Sequence, residues 1–325
     1  MYDLSIDAAR VTGVAEAFIR EQVDALERDG VVLGVSGGVD SSVSAALAAR
    51  ALGAERVLGL LLPERDSSDH SLEDGCLLME QLDVPYEVID LTAMLTELGI
   101  YKKAPLRLLV NKRVRAEAVR KTRGLYERML GENPFMAGLR GTRGCPGQRV
   151  LDAGHAYARS KHRMRMINLY FRAELENRLV VGSVNRTEIL TGAMVKWGDI
   201  AADANPLLPL FKTQVVALAH HLGVPRPIIE KPPTADVMPG VDDEMALGMG
   251  YELLDQILCG LEGGDQPRDV AEQADTSVET VHRVMEMRYR STHMSQMPSA
   301  PVYPLGAAAG TALASARTRP GRPAP

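Results

Sequence analysis

The segment VVLGVSGGVDSS, residues 31–42, decides the fold. Its first five residues are an apolar run typical of a buried β-strand, and Ser36, Gly37 and Gly38 then predict a tight turn. The following residues, SSVSAALAARAL at 41–52, are small and favour a helix. Glycines between a strand and a helix let backbone N–H groups approach an anion, and the helix N-terminus adds a positive dipole end. The segment therefore predicts a phosphate-binding loop.

A carboxylate in this loop points to a cation. Asp40 precedes Ser41 and Ser42 at the start of the expected helix. A carboxylate beside a phosphate is favourable when a divalent cation bridges them, so Asp40 is a candidate Mg²⁺ ligand. No Lys follows the glycines, so this is neither the GxxxxGK[ST] loop nor the GxGxxG fingerprint. A glycine-rich turn that merely starts a helix is the alternative, and the full string between strand and helix disfavours it.

Apolar strands and helices alternate around this segment. Strands are expected at 57–62, 86–90 and 179–183, and helices at 7–29, 70–83, 161–177, 187–194, 213–222, 243–261 and 277–290. Strands that are apolar throughout are typical of a parallel sheet covered on both faces. We therefore predict an α/β fold, a doubly wound parallel sheet with helices on both faces plus a mostly helical insertion, in a single domain over 1–304.

Composition narrows the function classes. The chain has 325 residues, is 46% hydrophobic and carries a formal net charge of -5, which argues against a uniformly basic nucleic-acid binder. Its three cysteines form no CxxC pair, so the sequence suggests neither a zinc site nor a disulfide framework, and a cytoplasmic location is expected. No stretch is apolar for long enough to span a bilayer. The small, Pro-rich tail 305–325 is expected to be disordered.

The stretch 101–158 interrupts the pattern, because it has no strand signal and its middle is basic. An amphipathic helix is expected over 106–130, and GLRGTRGCPGQR (138–149) is expected to be a flexible loop. The basic residues are Lys112, Arg113, Arg115, Arg120, Lys121, Arg123 and Arg128, against Glu117 and Glu127. The expected apolar positions are Leu109, Val110, Val114, Val119, Leu125 and Met129.

Two interpretations of this insertion stay open. It is a solvated basic helix on the surface, or it is a lid or specificity element for a polyanionic substrate that also contributes an oligomer contact. Nucleic-acid binding is disfavoured, because aromatic residues interleave poorly with the basic ones. Cys145 lies between basic residues that would lower a thiol pKa, but with no histidine partner evident nearby it is read as an ordinary loop cysteine.

Seven further strings follow one another in an order that resembles the NAD synthetase family. They are LLLPERDSS (60–68), SKHRMRMINLY (160–170), VVGSVNRTE (180–188), VKWGDIAAD (195–203), LPLFKTQVVALAHHLGVP (208–225), EKPPTADVMPGVDDEMALGMGYELLDQIL (230–258) and RVMEMRYRSTHMSQMP (283–298). SGGVDSS itself resembles the SGGxDS pyrophosphate loop of the N-type ATP pyrophosphatases. The resemblance covers about 7–100 and 159–304 and implies an adenine nucleotide alpha hydrolase-like version of the fold.

The resemblance also implies a reaction. The carboxylate of nicotinic acid adenine dinucleotide attacks the α-phosphate of ATP and displaces pyrophosphate, and ammonia then displaces AMP to leave the amide. The implied cofactors are ATP and Mg²⁺, and the implied assembly is a homodimer. The residues outside the motifs are too few for a glutaminase domain, so ammonia is expected as the nitrogen source.

Individual residues carry roles over from the family motifs. The resemblance implies catalytic roles for Asp40, Lys212 and Asp199, and Mg²⁺ ligation by Asp40 and Glu188. It implies ATP binding by Gly34, Val35, Ser36, Gly37, Gly38, Val39, Asp40, Ser41, Ser183, Lys212 and Thr234. It implies binding of the acid substrate by Arg163, Lys196, Asp203, His293 and Met294, with His293 acting across a dimer interface. Arg165 is expected to pack or pair nearby instead of sharing that role, since two arginines two residues apart on a helix point in different directions.

This sequence departs from the family at the substrate side. The mobile loop reads KWGDIAAD, in which Ile200 and Ala201 replace two glycines and Trp197 replaces Tyr, and Met294 replaces a lysine. Much of 101–158 is additional. These differences favour the alternative of a related amide ligase acting on another carboxylate. A catalytically inactive regulatory protein is the third hypothesis, and the retention of Asp40, Glu188 and Lys212 argues against it.

Overall fold

The computed structural model describes residues 1–103, 112–131, 133–234 and 241–298. Its sheet has four parallel strands in the order β3-β2-β1-β4, with β1 Gly30–Gly34, β2 Val57–Leu61, β3 Tyr86–Val88 and β4 Arg178–Val181. The register pairs Val31 with Val57 and with Leu179. All four predicted strands are present, which confirms the α/β prediction.

Helices follow or precede each strand. They are α1 Ala8–Ala25, α2 Val39–Leu52, α3 Asp69–Gln81, α4 Thr92–Glu97, α5 Ile100–Lys103, α6 Lys112–Leu130, α7 Pro134–Arg140, α8 Gln148–Leu175, α9 Arg186–Thr191, α10 Lys212–Leu222, α11 Arg226–Ile229, α12 Asp243–Leu247, α13 Tyr251–Gly263, α14 Pro267–Gln273 and α15 Val278–Ser291. None of these described helices combines the length and the apolar character that a membrane span requires.

Both faces of the sheet are buried, which explains why its strands are apolar at every position. Val31 and Leu33 point to the face covered by α1, α2, α3 and α10, whereas Val32 points to the face covered by α4 and α8. A second helical core lies beside the sheet and joins α7, α9, α13, α14 and α15, with Leu254 and Val281 at its centre. The sheet edge and this helical core together enclose the site described below.

Two predicted helices differ from the observed ones, and short helices such as α14 were not predicted. The helix expected at 161–177 begins at Gln148, so α8 occupies the end of the insertion as well. The helix expected at 243–261 is two helices, because Gly248 ends α12 in the left-handed conformation at φ +80°. The short helix α14 was not expected, since its seven residues are too few for a clear periodicity.

The insertion is helical, as expected, but its apolar face was assigned wrongly. Val114, Leu125 and Met129 are exposed, whereas Val119 lines a cavity. The expected helix start at 106–111, with Leu109 and Val110, lies outside the described residues. Residues 141–147 form turns between α7 and α8. The single-domain limits 1–304 and the disordered tail 305–325 stay predictions, since 299–325 is not described.

Candidate active site

One large cavity opens at the carboxyl ends of the strands. Its volume is about 740 Å³, and residues at the ends of β1, β2 and β4 line it. In a parallel α/β sheet this is the edge where ligands bind, because loops diverge there to opposite faces. The glycine-rich loop forms one wall of the cavity, and helices α6, α7 and α8 form the wall opposite.

The glycine-rich loop is held in a fixed shape by its own serines. Ser41 Oγ donates to Gly38 O (3.0 Å), and Ser42 Oγ donates to the same carbonyl (2.8 Å). Gly37 has φ +69°, and a Cβ there would lie 2.0 Å from Ser71 O, so only glycine fits. Gly38 caps α2 with no side chain of its own, which leaves the first N–H groups of α2 open toward the cavity.

The predicted nucleotide contacts gather at this wall. The cavity lining includes Gly34, Val35, Ser36, Gly38, Val39, Asp40, Ser41, Ser183, Lys212 and Thr234. Gly37 is not in the lining, since it turns the chain against Ser71. Thr234 lies at the rim and donates to Val241 O (3.2 Å). Ten of the eleven predicted positions therefore border one space.

Asp40 is the centre of a charged cluster. Its Oδ2 accepts from the Lys212 ammonium, and its Oδ1 accepts from Asn185 Nδ2 (2.9 Å). Asn185 also caps α9, whose third residue is Glu188, in a reciprocal capping box. Asp40 and Glu188 thus share Asn185 as a common partner, and the carboxylates face the same cavity.

Two members of this cluster have shifted pKa values. Burial raises the pKa of Glu188 well above its usual range, and the negative charge of Asp40 raises it further. Burial disfavours the charge of Lys212, but the attraction of Asp40 and Glu188 outweighs that effect, so the pKa of Lys212 is raised. The cluster is therefore arranged to hold positive charge between two carboxylates.

Asp255 orients this cluster, although it is not among the site residues predicted from the sequence. Its side chain is fully buried, and it accepts from Thr187 Oγ1 (2.6 Å) and from the N–H of Thr213 (2.8 Å). Thr187 Oγ1 in turn accepts from the N–H of Lys212 (2.9 Å). These bonds lock the starts of α9 and α10, which carry Glu188 and Lys212. Helix α13 also contains Glu252 and Glu262, so nothing local distinguishes Asp255, and its partners lie far away in the sequence.

Asp199, a predicted catalytic residue, also lines the cavity. Its Oδ1 accepts from the N–H groups of Val195 (2.6 Å) and Ile200 (3.1 Å), and its Oδ2 lies 3.3 Å from His162 Nδ1. Burial lowers the pKa of His162, despite the attraction of Asp199. Ile200 and Ala201, which replace two glycines of the family motif, lie in a short 3-10 turn. The residue of this loop with a positive φ is Trp197 (+60°).

The predicted acid-binding residues lie outside the main cavity. Arg163 donates to Lys196 O (3.2 Å), and Lys196 Nζ donates to His293 O (2.9 Å). His293 borders a second cavity of about 510 Å³ between α7 and α15, which Arg140 and Arg290 also line.

Two further residues predicted to bind the acid, Asp203 and Met294, contact other parts of the chain. Asp203 accepts from Val180 N–H (2.9 Å) and Tyr170 Oη (2.8 Å), which fixes the chain beside β4. Met294 is packed in the helical core. Arg165, expected to pack or pair nearby, donates from its Nε to Leu62 O (3.2 Å), and it also lines the main cavity.

The insertion contributes directly to the cavity. From α6 the lining includes Val119, Thr122, Arg123 and Tyr126, and from the insertion's part of α8 it includes Leu151 and His155. Arg123 Nη2 donates to Met245 O, and Asn133 Nδ2 donates to Ala246 O. The insertion is thus fastened across the cavity to α12, which favours the lid interpretation over the solvated surface helix. Cys145 is half-buried and accepts from Arg140 Nη2 (3.3 Å).

A parallel sheet with a glycine-rich loop and a cavity at its carboxyl edge defines a nucleotide-binding α/β protein. The family model NAD synthase matches residues 11–122 and 148–298. The NH(3)-dependent NAD(+) synthetase of Thermotoga neapolitana is 43% identical over 88% of this chain and 96% of its own length. That of Methanocaldococcus jannaschii is 34% identical over 87% of this chain and 93% of its own. The chain therefore belongs to the NAD synthase family, as the motifs predicted.

Solved structures agree on the fold. An NMN synthetase from Francisella tularensis superposes with a TM-score of 0.68 at 23% identity, covering 92% of this chain and all of that one. The NH3-dependent NAD synthetase of Campylobacter jejuni gives a TM-score of 0.64 at 23% identity, over 91% of this chain and all of that one. The family model leaves 123–147 unmatched, a smaller part of the insertion than expected.

Proposed function

We propose that this chain converts nicotinic acid adenine dinucleotide to NAD, using ATP and ammonia and releasing AMP and pyrophosphate. The observation that carries the proposal is the meeting of Asp40, Glu188 and Lys212 at the phosphate loop inside one cavity. The names of the curated relatives at 34–43% identity support the same reaction. The chain would act as a carbon–nitrogen ligase through an acyl-adenylate.

The phosphate loop would hold ATP. The open N–H groups at the start of α2 and the hydroxyl of Ser36 suit the β- and γ-phosphates, and Ser183 and Thr234 lie where they can contact the rest of the nucleotide. Lys212, whose ammonium pairs with Asp40, would move from Asp40 to the departing pyrophosphate. Positioning and charge neutralisation are the main contributions to such a transfer.

The carboxylates fit Mg²⁺. Oxygen donors suit this hard cation, and Asp40 already binds a cation, the Lys212 ammonium, whose charge Glu188 also attracts. Asp40 and Glu188 would be its protein ligands. Mg²⁺ bound there would neutralise the charge that develops on the phosphates.

The acid would approach from the side of Asp199. Arg163, Lys196 and His293 form a connected group beside the main cavity and are proposed to bind the dinucleotide, with Asp203 and Met294 supporting them from behind. When ammonia attacks the adenylate, the nitrogen must lose a proton. Asp199 lines the cavity next to a neutral His162, so Asp199 is the proposed acceptor of that proton.

A homodimer is the proposed assembly. Ile167, Phe171 and Leu175 lie at i, i+4 and i+8 on α8 and are 61%, 63% and 65% exposed. Met94 of α4 and Leu98 directly after this helix are also exposed, and Met94 lies beside Asn168 of α8. A contiguous apolar face of this kind is typical of an interface. A second copy of the chain is the proposed partner, and the other proposed ligands are small molecules.

The second candidate is amidation of another carboxylate. It is favoured by Ile200 and Ala201 in the loop and by Met294, whose side chain is buried instead of facing a ligand. Nicotinic acid mononucleotide is a similar acid, since it has the same reacting ring as the dinucleotide and one of its phosphates.

One assay separates the candidates. The protein is incubated with ATP, Mg²⁺, ammonium and either the dinucleotide acid or the mononucleotide acid, and amide, AMP and pyrophosphate are measured together. The proposal expects NAD, AMP and pyrophosphate in equal amounts, with the dinucleotide preferred in kcat/KM. Lys212→Met is expected to lower kcat by roughly 10²- to 10³-fold, as for loss of one charge-stabilising donor. Amide formation from the mononucleotide alone would establish the second candidate, and no turnover with any acid would reject both.

A further inference from the structure

The wall formed by α8 contains a cation that lacks an acidic partner. Arg159 lines the main cavity, and its Nη2 donates to Gly138 O (3.2 Å). In the described part of the chain, no carboxylate oxygen lies within 4.0 Å of its guanidinium. Other cations of the cavity differ in this respect, because Lys212 pairs with Asp40 and Lys231 pairs with Asp74.

The surroundings of Arg159 are unfavourable for its charge. Burial lowers the pKa of Arg159, and the positive charge of Arg163, one helical turn later, lowers it further. Like charges at i and i+4 on a helix repel each other, and a partly buried charge without a counter-ion costs free energy. An anion bound in the cavity would remove both costs, so the arrangement is that of an anion site.

Neighbouring side chains complete a site of suitable size. Tyr126 of α6 packs on the backbone of Gly147, and its ring lines the same wall as His155. Burial and Arg159 lower the pKa of His155, so at neutral pH it is an uncharged hydrogen-bonding group. The wall therefore offers the guanidinium of Arg159, a phenol and an imidazole to a ligand that has an aromatic or sugar part and a negative charge.

We propose that Arg159 binds a phosphate of the dinucleotide acid substrate. The inference rests on the proposed function and adds a substrate contact that the family motifs do not include. The acid is favoured over ATP as the ligand because the phosphate loop, Asp40 and Lys212 already provide for the ATP phosphates. Arg163, which neighbours Arg159, is the arginine that the motifs assign to the acid. Tyr126 lies within 123–147, so this wall is partly built by the segment that the family model leaves unmatched.

The test compares Arg159→Gln and Arg159→Lys with the wild type. Arg159→Gln is expected to raise KM for the dinucleotide acid roughly 10- to 100-fold, the range for a charge-assisted bond to phosphate, with KM for ATP within about twofold. Arg159→Lys keeps the charge but not the bidentate geometry, so it is expected to recover part of the loss. Arg149→Gln is the matched control, since it removes an exposed charge from the same helix without touching the cavity.

Product inhibition identifies the group that is bound. NAD keeps both phosphates but lacks the carboxylate, so Arg159→Gln is expected to raise Ki for NAD as much as KM for the acid. A raised KM for the acid with an unchanged Ki for NAD would assign Arg159 to the carboxylate and overturn the proposal. A raised KM for ATP alone would assign it to ATP, with the same consequence.

The two proposals can fail separately. If wild-type protein makes no NAD from the dinucleotide acid, the proposed function is wrong. If it does, and Arg159→Gln keeps its KM for the acid while unfolding at the same Tm as wild type, only the role of Arg159 is wrong. Should Arg159→Gln not fold, Arg159→Lys gives the decision, because an unchanged KM and Ki in that variant together with an unchanged salt dependence would reject a phosphate contact.

Discussion

Glu188 has two roles that conflict in the protein without ligands. Its Oε2 closes the capping box of α9 by accepting from Asn185 N–H (2.9 Å), which stabilises the helix start. Its charge, however, is buried and close to Asp40, and both effects raise its pKa above the usual 4.5. Above pH 4.5 the folded chain therefore holds a proton that the unfolded chain has lost, and the free energy of unfolding falls as pH rises toward the folded pKa.

Glu188→Gln is expected to stabilise the protein and to inactivate it. Glutamine keeps the capping box but carries no charge, so the gain is on the order of 1–2 kcal/mol at neutral pH and vanishes near pH 4. The loss of the proposed Mg²⁺ ligand should abolish Mg²⁺-dependent turnover. Chemical denaturation at several pH values measures the first effect. Glu174→Gln, an exposed acid on α8, is the control; equal stability of both variants at pH 7 would contradict the account of Glu188.

The sequence predicted the residues of this cluster better than their supports. Asp40 and Glu188 stand in local motifs, and Asn185 followed three residues later by Glu188 is itself a capping signature. Asp255 is different, because its orienting role depends on hydrogen bonds from Thr187 and Thr213, and these residues come close to it only in the folded chain. Arg163 and Arg165 show a similar limit, since spacing tells that they diverge but not which of them faces the cavity.

The inward face of helix α6 was predicted wrongly, and its composition explains why. Its cavity-facing residues, Val119, Thr122, Arg123 and Tyr126, follow helical spacing, yet only one of them is aliphatic. A helix face that lines a ligand cavity need not be apolar, whereas a face that packs in a core is recognised by its apolar residues. Val114, Leu125 and Met129 were selected for that reason and are exposed. A basic amphipathic helix thus shows its period in the sequence but not which face is inward.

The fastening of this helix to α12 is expected to keep the cavity closed. Arg123→Ala removes the bond to Met245 O and the ion pair with Glu127, so α12 should open more often. Loss of about 1–1.5 kcal/mol would raise hydrogen exchange of the Asp243–Leu247 amides roughly tenfold, and KM for the acid should rise with it. Arg120→Ala is the control, because Arg120 pairs only with Glu117 among the described residues and does not line the cavity. Equal exchange in the two variants would rule out the fastening.

At the scale of the molecule, the sheet was the most predictable part and the enclosure of the site the least. Parallel strands buried on both faces are apolar at every position, so β1, β2, β3 and β4 were visible in the sequence. The cavity instead joins segments from residue 34 to residue 246, and no local pattern states that α6 and α12 meet across it. Helix α8 belongs both to the cavity and to the surface, because its inner side lines the cavity while its outer side exposes Ile167, Phe171 and Leu175.

That outer side leads to the expectation about assembly. Phe171→Glu places a charge at the centre of the exposed apolar face and is expected to convert a dimer to a monomer, since burying an unpaired charge outweighs the apolar contact. Sedimentation velocity at several concentrations measures the change. Val14→Glu makes the same substitution at an exposed position on α1 (64% exposed) and should leave the dimer intact. A dimer that persists in Phe171→Glu, or a wild type that is already monomeric, would remove α8 as the interface.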